Sequence, residues 1–212
     1  GQYPALTETE DHVAAFIRRT IDEAPIHQSL GPLMRLPLSD PGRILSGSRS
    51  RWTRLVRAAS KAAGGDAGCL VPVAAAVELL VAGLDVIDDV QDGDYSLLVA
   101  TAGVPQALNV ANGLLFLAQL VLASPGLPLD CRRVLDIEHT LAVTGVQSVS
   151  GQHRDLLSDV ETRSDALEIA AEKSGSLAAG ACQLGAMLGT DDSDLLNQYG
   201  AWGKHFGTMN QP

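Results

Sequence analysis

The sequence predicts an all-α protein, a single-domain bundle of long helices around a central apolar cavity. Apolar residues recur at the three- and four-residue spacing of helices, and no stretch shows the alternation of a half-buried strand. At 212 residues and 46% hydrophobic content the chain can bury one large core, so we expect residues 1–212 to form one domain. Aromatic residues make up only 4% of the chain, which predicts a cavity lined by small aliphatic side chains.

The first half of the chain predicts three helices. Thr7 is the expected cap of the first, with Glu10 at the capping-box position, and Pro25 ends it. Residues 26–42 are rich in Pro, Gly and Leu and predict an ordered connection. The next two helices are expected over 51–63 and 71–92. The latter is apolar on nearly every side and should be central in the fold.

The second half predicts four more helices. After an expected loop over 93–103, they span 104–123, 130–159, 164–189 and 191–206. Gly145 and Gly151 lie inside the longest of them. Because an internal glycine costs a helix about 1 kcal/mol relative to alanine, we expect close packing or a bound ligand at these two positions.

The overall charge restricts the partners of the protein. Fifteen basic against 25 acidic residues give a formal net charge of −10, which argues against nucleic acid or an anionic membrane surface as the main partner. Cys69, Cys131 and Cys182 are widely spaced in apolar contexts and predict buried thiols in a reducing compartment. The sequence shows no secretory signal and no uninterrupted apolar run long enough to cross a bilayer. We therefore expect a soluble cytoplasmic protein without stable membrane insertion.

The third predicted helix ends in a cluster of aspartates. Asp88 and Asp92 lie one turn apart with Asp89 beside them, so the three carboxylates can converge on a hard divalent cation such as Mg²⁺. A merely solvated helix end fits poorly, because negative charge at a helix C-terminus opposes the helix dipole and Asp85 adds a carboxylate one turn earlier. An EF-hand calcium loop also fits poorly, because its third and fifth ligand positions are never both suitably occupied. The sequence therefore predicts a magnesium site.

Two further polar groups interrupt apolar helices. Gln152 and Asp155 lie one turn apart and could bind a hydrated cation or a diphosphate oxygen. From spacing alone, a pair of exposed polar residues at a helix end is a slightly better interpretation. Lys173 is flanked by small residues, and if it is buried it needs an anion such as phosphate. A surface lysine paired with Glu172 is an equally good interpretation.

Together these segments resemble the trans-isoprenyl (polyprenyl) diphosphate synthase family and its class I terpene synthase relatives. The segments Asp88 to Asp92, Gly151-Gln152-x-x-Asp155-Leu156 and Lys173-Ser174-Gly175-x-Leu177 are similar to its first aspartate-rich motif, its GQxxDL segment and its KTxxL segment. The stretch 203–211 resembles the approach to its second aspartate-rich motif. The resemblance covers residues 45–211, and four motifs in register are fairly specific.

The resemblance implies an all-α fold in which aspartate motifs on facing helices hold three Mg²⁺ ions that grip an allylic prenyl diphosphate. The implied roles are metal ligation by Asp88, Asp89 and Asp92, diphosphate binding by Lys173, and support of the site by Gln152 and Asp155. Neutralising the diphosphate makes it a leaving group, and a dry apolar cavity protects the resulting carbocation from water. The resemblance also implies a homodimer.

The sequence departs from the chain-elongating members where they bind the diphosphate of isopentenyl diphosphate. The Gly-Gly-Lys-Arg segment is degenerate, with Arg49 and Arg51 as its basic residues, Val81 replaces a His or Gln, and no arginine stands directly after Asp92. We therefore expect a class I terpene synthase, a cyclase acting on a C15–C25 diphosphate. The alternatives are a chain-elongating polyprenyl diphosphate synthase and a non-catalytic subunit of such a synthase.

Two last expectations concern the substrate tail and the end of the chain. Gly83 and Leu84 precede Asp88 by five and four positions and are expected to point down the cavity, where Gly83 leaves room for a tail longer than C15. If Gln211 matches the glutamine before the second aspartate-rich motif, that motif begins beyond Pro212. The chain is therefore expected to lack its C-terminal part.

Overall fold

A computed structural model describes residues 3, 5–47, 49–124, 127–157 and 162–209. Within these residues the regular structure is helical, which confirms the predicted all-α class. The α-helices are α1 Leu6–Glu23, α2 Leu30–Leu38, α3 Arg51–Ala62, α4 Leu70–Asp92, α5 Leu97–Ala102, α6 Val104–Leu122, α7 Cys131–Leu156, α8 Arg163–Ala170, α9 Ser176–Ala186 and α10 Ser193–Met209. A π-helical turn, Ala171–Gly175, joins α8 to α9.

The described residues fall into two compact units. The aspartate unit takes its residues from Gln2–Arg54 and Val71–Pro128, and the lysine unit takes its residues from Leu55–Leu70 and Leu129 onward. The assignment of residues 1–212 to one domain stays a prediction, as do the central cavity and a missing C-terminal part.

In the aspartate unit, α4 supplies more buried apolar residues than any other helix. Nearly every side chain from Leu70 to Leu84 is buried, as its all-round apolar sequence predicts. Helix α2 packs against α1, α5 and α6. Gly83 brings α4 close to α6, because a Cβ at that position would lie 3.1 Å from the carbonyl oxygen of Ala111 and 2.9 Å from Cδ2 of Leu115.

In the lysine unit, α9 packs against both α7 and α10. Small residues make these contacts close: a Cβ at Gly180 would lie 2.1 Å from Oγ1 of Thr144, and one at Gly203 would lie 2.5 Å from the carbonyl oxygen of Ala178. Gly180 and Gly203 are therefore packing residues, and larger side chains there would push the helices apart.

Two short helices were not predicted from sequence, and both lie in segments rich in turn-forming residues. Helix α2 forms in the expected connection 26–42 and contains two prolines. Pro32 is tolerated because it lies in the first turn, where the missing N–H has no intrahelical partner to lose, and Pro37 lies in the last turn. Helix α5 forms in the expected loop 93–103, where Ser96 Oγ accepts a hydrogen bond of 3.2 Å from the Val99 N–H.

Helix ends differ from the predicted ones in identifiable ways. Helix α1 begins at Leu6, so Thr7 lies inside its first turn, and the predicted capping box with Glu10 is wrong. Asp130 caps α7 by accepting a 2.9 Å hydrogen bond from the Arg133 N–H. The predicted end of that helix at 159 lies outside the described residues.

The cysteines only partly match the prediction of buried thiols. Cys69 and Cys182 are buried, and burial raises the pKa of the Cys182 thiol to about 12. Cys131 is exposed because it begins α7 on the solvent side, so the prediction is wrong for this residue.

Two helices have the length and composition to cross a membrane, which differs from the expectation from sequence. The segment Ala67–Asp92 has a mean hydropathy of 2.2 over its most apolar window, and 78% of that window is buried. For Val104–Leu122 the corresponding values are 1.3 and 39%. Because a buried core helix passes the same test, these values are weak evidence for a membrane span. The absence of stable membrane insertion stays a prediction.

Candidate active site

The aspartate cluster lies at the C-terminal end of α4. Gly93 ends the helix with a positive φ of 75°, and the Asp94 N–H donates a 2.8 Å hydrogen bond to the carbonyl oxygen of Asp89. Asp88 and Asp89 are half-buried, and Asp92 is exposed. The helix therefore presents two half-buried carboxylates and one exposed carboxylate on its last turns.

The surroundings of Asp89 are strongly negative. Desolvation raises the pKa of its carboxyl group, the neighbouring Asp94, Asp40 and Asp92 raise it further, and only Arg43 opposes them. An oxygen-rich site with excess negative charge matches the ligand preference of Mg²⁺. Among the residues that the structure describes, no three His, Cys, Asp or Glu side chains are grouped closely enough to hold a metal ion by themselves. One or two carboxylates together with water and substrate phosphate are the usual ligands of Mg²⁺, and this cluster fits that arrangement.

Asp85, whose role the sequence did not explain, forms an ion pair with Arg43. The contact joins Asp85 Oδ2 to Arg43 Nη2, and the two side chains are 38% and 20% exposed. Arg43 lies in the connection between α2 and α3, outside every motif found in the sequence. Nothing in the local sequence pattern indicates it, because its partner is 42 positions away.

A second acidic residue of α4 was missed by sequence reasoning. Glu78 is 1% exposed, and its Oε1 accepts hydrogen bonds from the Thr53 N–H at 3.0 Å and from Thr53 Oγ1 at 2.6 Å. Burial raises the pKa of its carboxyl group despite these bonds and the nearby Arg43. A charged residue in an otherwise apolar helical run is the signal that could have indicated it.

In the lysine unit, the structure brings the second and third polar groups together. Lys173 Nζ lies 3.5 Å from Asp155 Oδ2, and a Cβ at Gly151 would lie 2.4 Å from the backbone nitrogen of Lys173. Gln152 is buried, with 5% exposure, whereas Asp155 is exposed. The interpretation of two exposed polar residues is therefore wrong for Gln152 and right for Asp155.

Glu172, a candidate partner of Lys173, is engaged by another residue. Its Oε1 lies 3.2 Å from Arg154 Nη1, while Nη2 of the same arginine lies 3.2 Å from Glu168 Oε2. Arg154 thus gathers the two glutamates beside the π-helical turn. A π-helical turn is rare and is found frequently at functional sites, and here it carries Lys173.

Comparison with known proteins decides the family. A sequence model of the polyprenyl synthetase family matches residues 43–211, which is most of the chain. The chain belongs to the polyprenyl synthetase family. Within this family it is 32% identical over 176 residues to geranylgeranyl diphosphate synthase of Mycobacterium tuberculosis, covering 78% of this chain and 49% of the relative. It is also 30% identical over 120 residues to tryptophan prenyltransferase ComQ of Bacillus spizizenii, covering 56% of this chain and 41% of the relative.

Solved structures of polyprenyl synthetases share the fold. A geranyltransferase from Legionella pneumophila superposes with a TM-score of 0.84 at 22% identity, over 96% of this chain and 74% of its own. Geranylgeranyl pyrophosphate synthetase from Pyrococcus horikoshii gives 0.83 at 22% identity, over 96% and 62%. The isoprenoid-synthase type of fold that the sequence predicted is thereby confirmed. The chain spans about half the length of the curated relatives it matches.

The family comparison changes the ranking of the expected activities. The curated relatives are named as a geranylgeranyl diphosphate synthase and a tryptophan prenyltransferase, and neither name is that of a cyclase. Arg49 and Arg51, the basic residues of the degenerate Gly-Gly-Lys-Arg segment, are both exposed. The guanidinium of Arg51 lies 4.4 Å from the centre of the Trp52 ring.

The structure does not support an open pocket at Gly83. Five residues at 100° each place Gly83 about 140° around α4 from Asp88, and the space where its side chain would lie is filled by α6. Leu84 lies only about 40° from Asp88 and is 6% exposed. Leu84 therefore remains the candidate for contact with a substrate tail, and the expectation for Gly83 is wrong.

The stretch 203–211 is only partly described. Gly203 and Gly207 are buried in α10, where they pack against α9 at Ala178. Asn210, Gln211 and Pro212 lie outside the described residues, so the match of Gln211 stays a prediction.

Proposed function

We propose that the protein catalyses Mg²⁺-dependent prenyl transfer from an allylic prenyl diphosphate to isopentenyl diphosphate. The observation that carries this proposal is the 32% identity to a geranylgeranyl diphosphate synthase over 176 residues, combined with the aspartate cluster of α4. Both the cyclase and the non-catalytic subunit rank below it.

Each polar group has a role in this proposal. Asp88, Asp89 and Asp92 hold divalent metal, which would neutralise charge on the departing diphosphate. Lys173 binds diphosphate oxygen through its ammonium group, and Asp155 at 3.5 Å directs that group. Gln152, buried beside this pair, supports its geometry. The small aliphatic side chains of α4 exclude water from a carbocation.

The assay uses a labelled C10, C15 or C20 allylic diphosphate with isopentenyl diphosphate and Mg²⁺. We expect a product longer by one or more five-carbon units, and no product in excess chelator. A hydrocarbon or alcohol formed from the allylic diphosphate alone, with no incorporation of isopentenyl diphosphate, would contradict chain elongation and favour the cyclase.

A second candidate acceptor is the indole ring of tryptophan. The observation that favours it is the 30% identity to tryptophan prenyltransferase ComQ over 120 residues, together with the absence of arginine directly after Asp92. The same assay with a tryptophan-containing peptide in place of isopentenyl diphosphate separates the two acceptors by the mass of the product.

We further propose a homodimer in a reducing, cytoplasmic compartment. Helix α6 exposes Phe116 and Leu120, and α7 separately exposes Leu135 and Val146, which are large apolar side chains suited to an interface. Light scattering should give twice the chain mass. Phe116→Ser should lower it toward one chain mass, whereas Leu167→Ser, at an exposed position of α8, should not.

A further inference from the structure

The backbone of Arg43 is held in place by hydrogen bonds on both sides. Its N–H donates a 2.9 Å hydrogen bond to the carbonyl oxygen of Asp40, and its own carbonyl accepts from the Ser46 N–H at 3.1 Å and from Ser46 Oγ at 2.7 Å. The next residues, Ile44 and Leu45, are 4% and 9% exposed. The backbone is therefore fixed, and the side chain reaches α4 from an ordered turn.

The setting of Arg43 is costly for a charged group. Burial lowers the pKa of its guanidinium and the neighbouring Arg51 lowers it further, while Glu78, Asp40 and Asp89 oppose these effects. An ion pair whose side chains are 20% and 38% exposed contributes little net stability, because water screens the attraction and partial desolvation offsets it. Stability alone therefore gives a poor account of the Arg43–Asp85 pair.

The ion pair leaves part of the guanidinium available. Arginine carries five N–H donors in a planar fork, and the contact with Asp85 is made through Nη2. The remaining donors match the geometry of phosphate oxygens, to which arginine binds in bidentate fashion. Asp85 lies one turn before Asp89 on α4, so Arg43, in contact with Asp85, lies close to an anion that a metal ion at Asp89 would bind.

We propose that Arg43, oriented by Asp85, binds a substrate diphosphate and replaces the arginines that are absent directly after Asp92. This inference rests on the proposed prenyl transfer. It gives a physical role to both members of a pair that lies outside the family motifs. Asp85 is a positioning residue here, and Arg43 is the residue that contacts substrate.

The test measures binding of inorganic pyrophosphate by calorimetry in the presence of Mg²⁺, together with separate KM values for the allylic and isopentenyl diphosphates. Arg43→Gln should weaken pyrophosphate binding about 10- to 100-fold, and Arg43→Lys should weaken it less because the charge remains. The matched control is Arg35→Gln, which removes the exposed ion pair with Asp22 in the same unit and should change binding less than about twofold. The KM that rises in Arg43→Lys identifies which diphosphate Arg43 contacts.

Asp85→Ala separates orientation from charge. If Asp85 orients Arg43, the Asp85→Ala substitution should weaken pyrophosphate binding several-fold. Removal of a negative charge alone would instead strengthen the binding of an anion. Tighter binding in Asp85→Ala, or unchanged binding in folded Arg43→Gln and Arg43→Lys, would overturn the inference. If pyrophosphate binding depends on Arg43 but isopentenyl diphosphate is not incorporated by the unmodified protein, the proposed acceptor is wrong and the diphosphate role of Arg43 stands.

Discussion

Gly151 of α7 touches the backbone of Lys173, because a Cβ at Gly151 would lie 2.4 Å from the Lys173 nitrogen and 2.7 Å from the carbonyl carbon of Glu172. The two residues belong to different sequence motifs, and the contact is between main chains. Only glycine, which has no Cβ, therefore fits at position 151 while Lys173 keeps its place.

Gly151→Ala should accordingly lower stability and activity together. Alanine adds about 1 kcal/mol of helix propensity, but pushing apart two backbones costs about 1–3 kcal/mol, so we expect a net loss. The activity loss should appear as a raised KM for the allylic diphosphate, because Lys173 is displaced. Thermal unfolding and steady-state kinetics measure both effects. Gly68→Ala is the control, since its Cβ would meet nothing closer than 3.4 Å. An unchanged KM in folded Gly151→Ala would show that α7 yields without moving Lys173.

The metal prediction concerns Asp89. Asp89→Asn keeps the size of the side chain but removes the charge of a carboxylate whose pKa is raised by burial and by the neighbouring Asp94, Asp40 and Asp92. We expect Mg²⁺-dependent turnover to fall by orders of magnitude and the Mg²⁺ concentration for half-maximal activity to rise. The control is Asp11→Asn, at an exposed position of α1. Normal turnover of Asp89→Asn at low Mg²⁺ would exclude this carboxylate as a ligand.

The sequence predicted the long helices well because their apolar spacing is a local signal. Helices α3, α4 and α6 begin and end within one residue of their predicted limits. Local patterns also indicated Asp88 and Lys173 as candidate site residues, and their roles stay predictions. The same patterns missed α2, because its prolines and glycine are typical of a connection. Proline in the first turn is nevertheless compatible with a helix.

Long-range pairing could not be predicted in the same way. Arg43 and Asp85 form an ion pair although they are 42 positions apart in the sequence. Thr53 donates a hydrogen bond to Glu78, which is 25 positions away. Neither contact leaves a periodic signal in the sequence. The expectation that Gly83 faces the cavity was wrong for a related reason. It was based on the number of residues between Gly83 and Asp88, whereas the angle of Gly83 around α4 decides which neighbour it contacts.

The tail-binding prediction therefore shifts from Gly83 to Leu84. Gly83→Phe should fail to fold or lose several kcal/mol, because a ring cannot enter the α4–α6 contact. Leu84→Ala should raise the ratio of kcat/KM for a C20 over a C10 diphosphate, since it removes apolar volume about 40° from Asp88. Leu79→Ala, a core change at a fully buried position of the same helix, is the control and should leave the ratio unchanged. Equal ratios in Leu84→Ala and the unmodified protein would remove Leu84 from the tail site.

The last prediction concerns the pH dependence of stability through Glu78. Burial raises the pKa of this carboxyl group above its ordinary value of 4.5, so the folded state holds the proton more tightly than the unfolded state does. Below pH 4.5 both states are protonated, and the group imposes no ionisation cost. As the pH rises from there toward the folded-state pKa, the unfolded state ionises first, and the free energy of unfolding falls.

Glu78→Gln removes this dependence while its amide oxygen can still accept the hydrogen bonds from Thr53. The difference in unfolding free energy, Gln minus Glu, should therefore grow as the pH rises from 4.5 to 8. Urea unfolding at four or five pH values measures it, with Glu23→Gln at an exposed position of α1 as the control. A difference that shrinks with rising pH would mean that the ionised Glu78, through its attraction to Arg43, stabilises the fold more than its desolvation destabilises it.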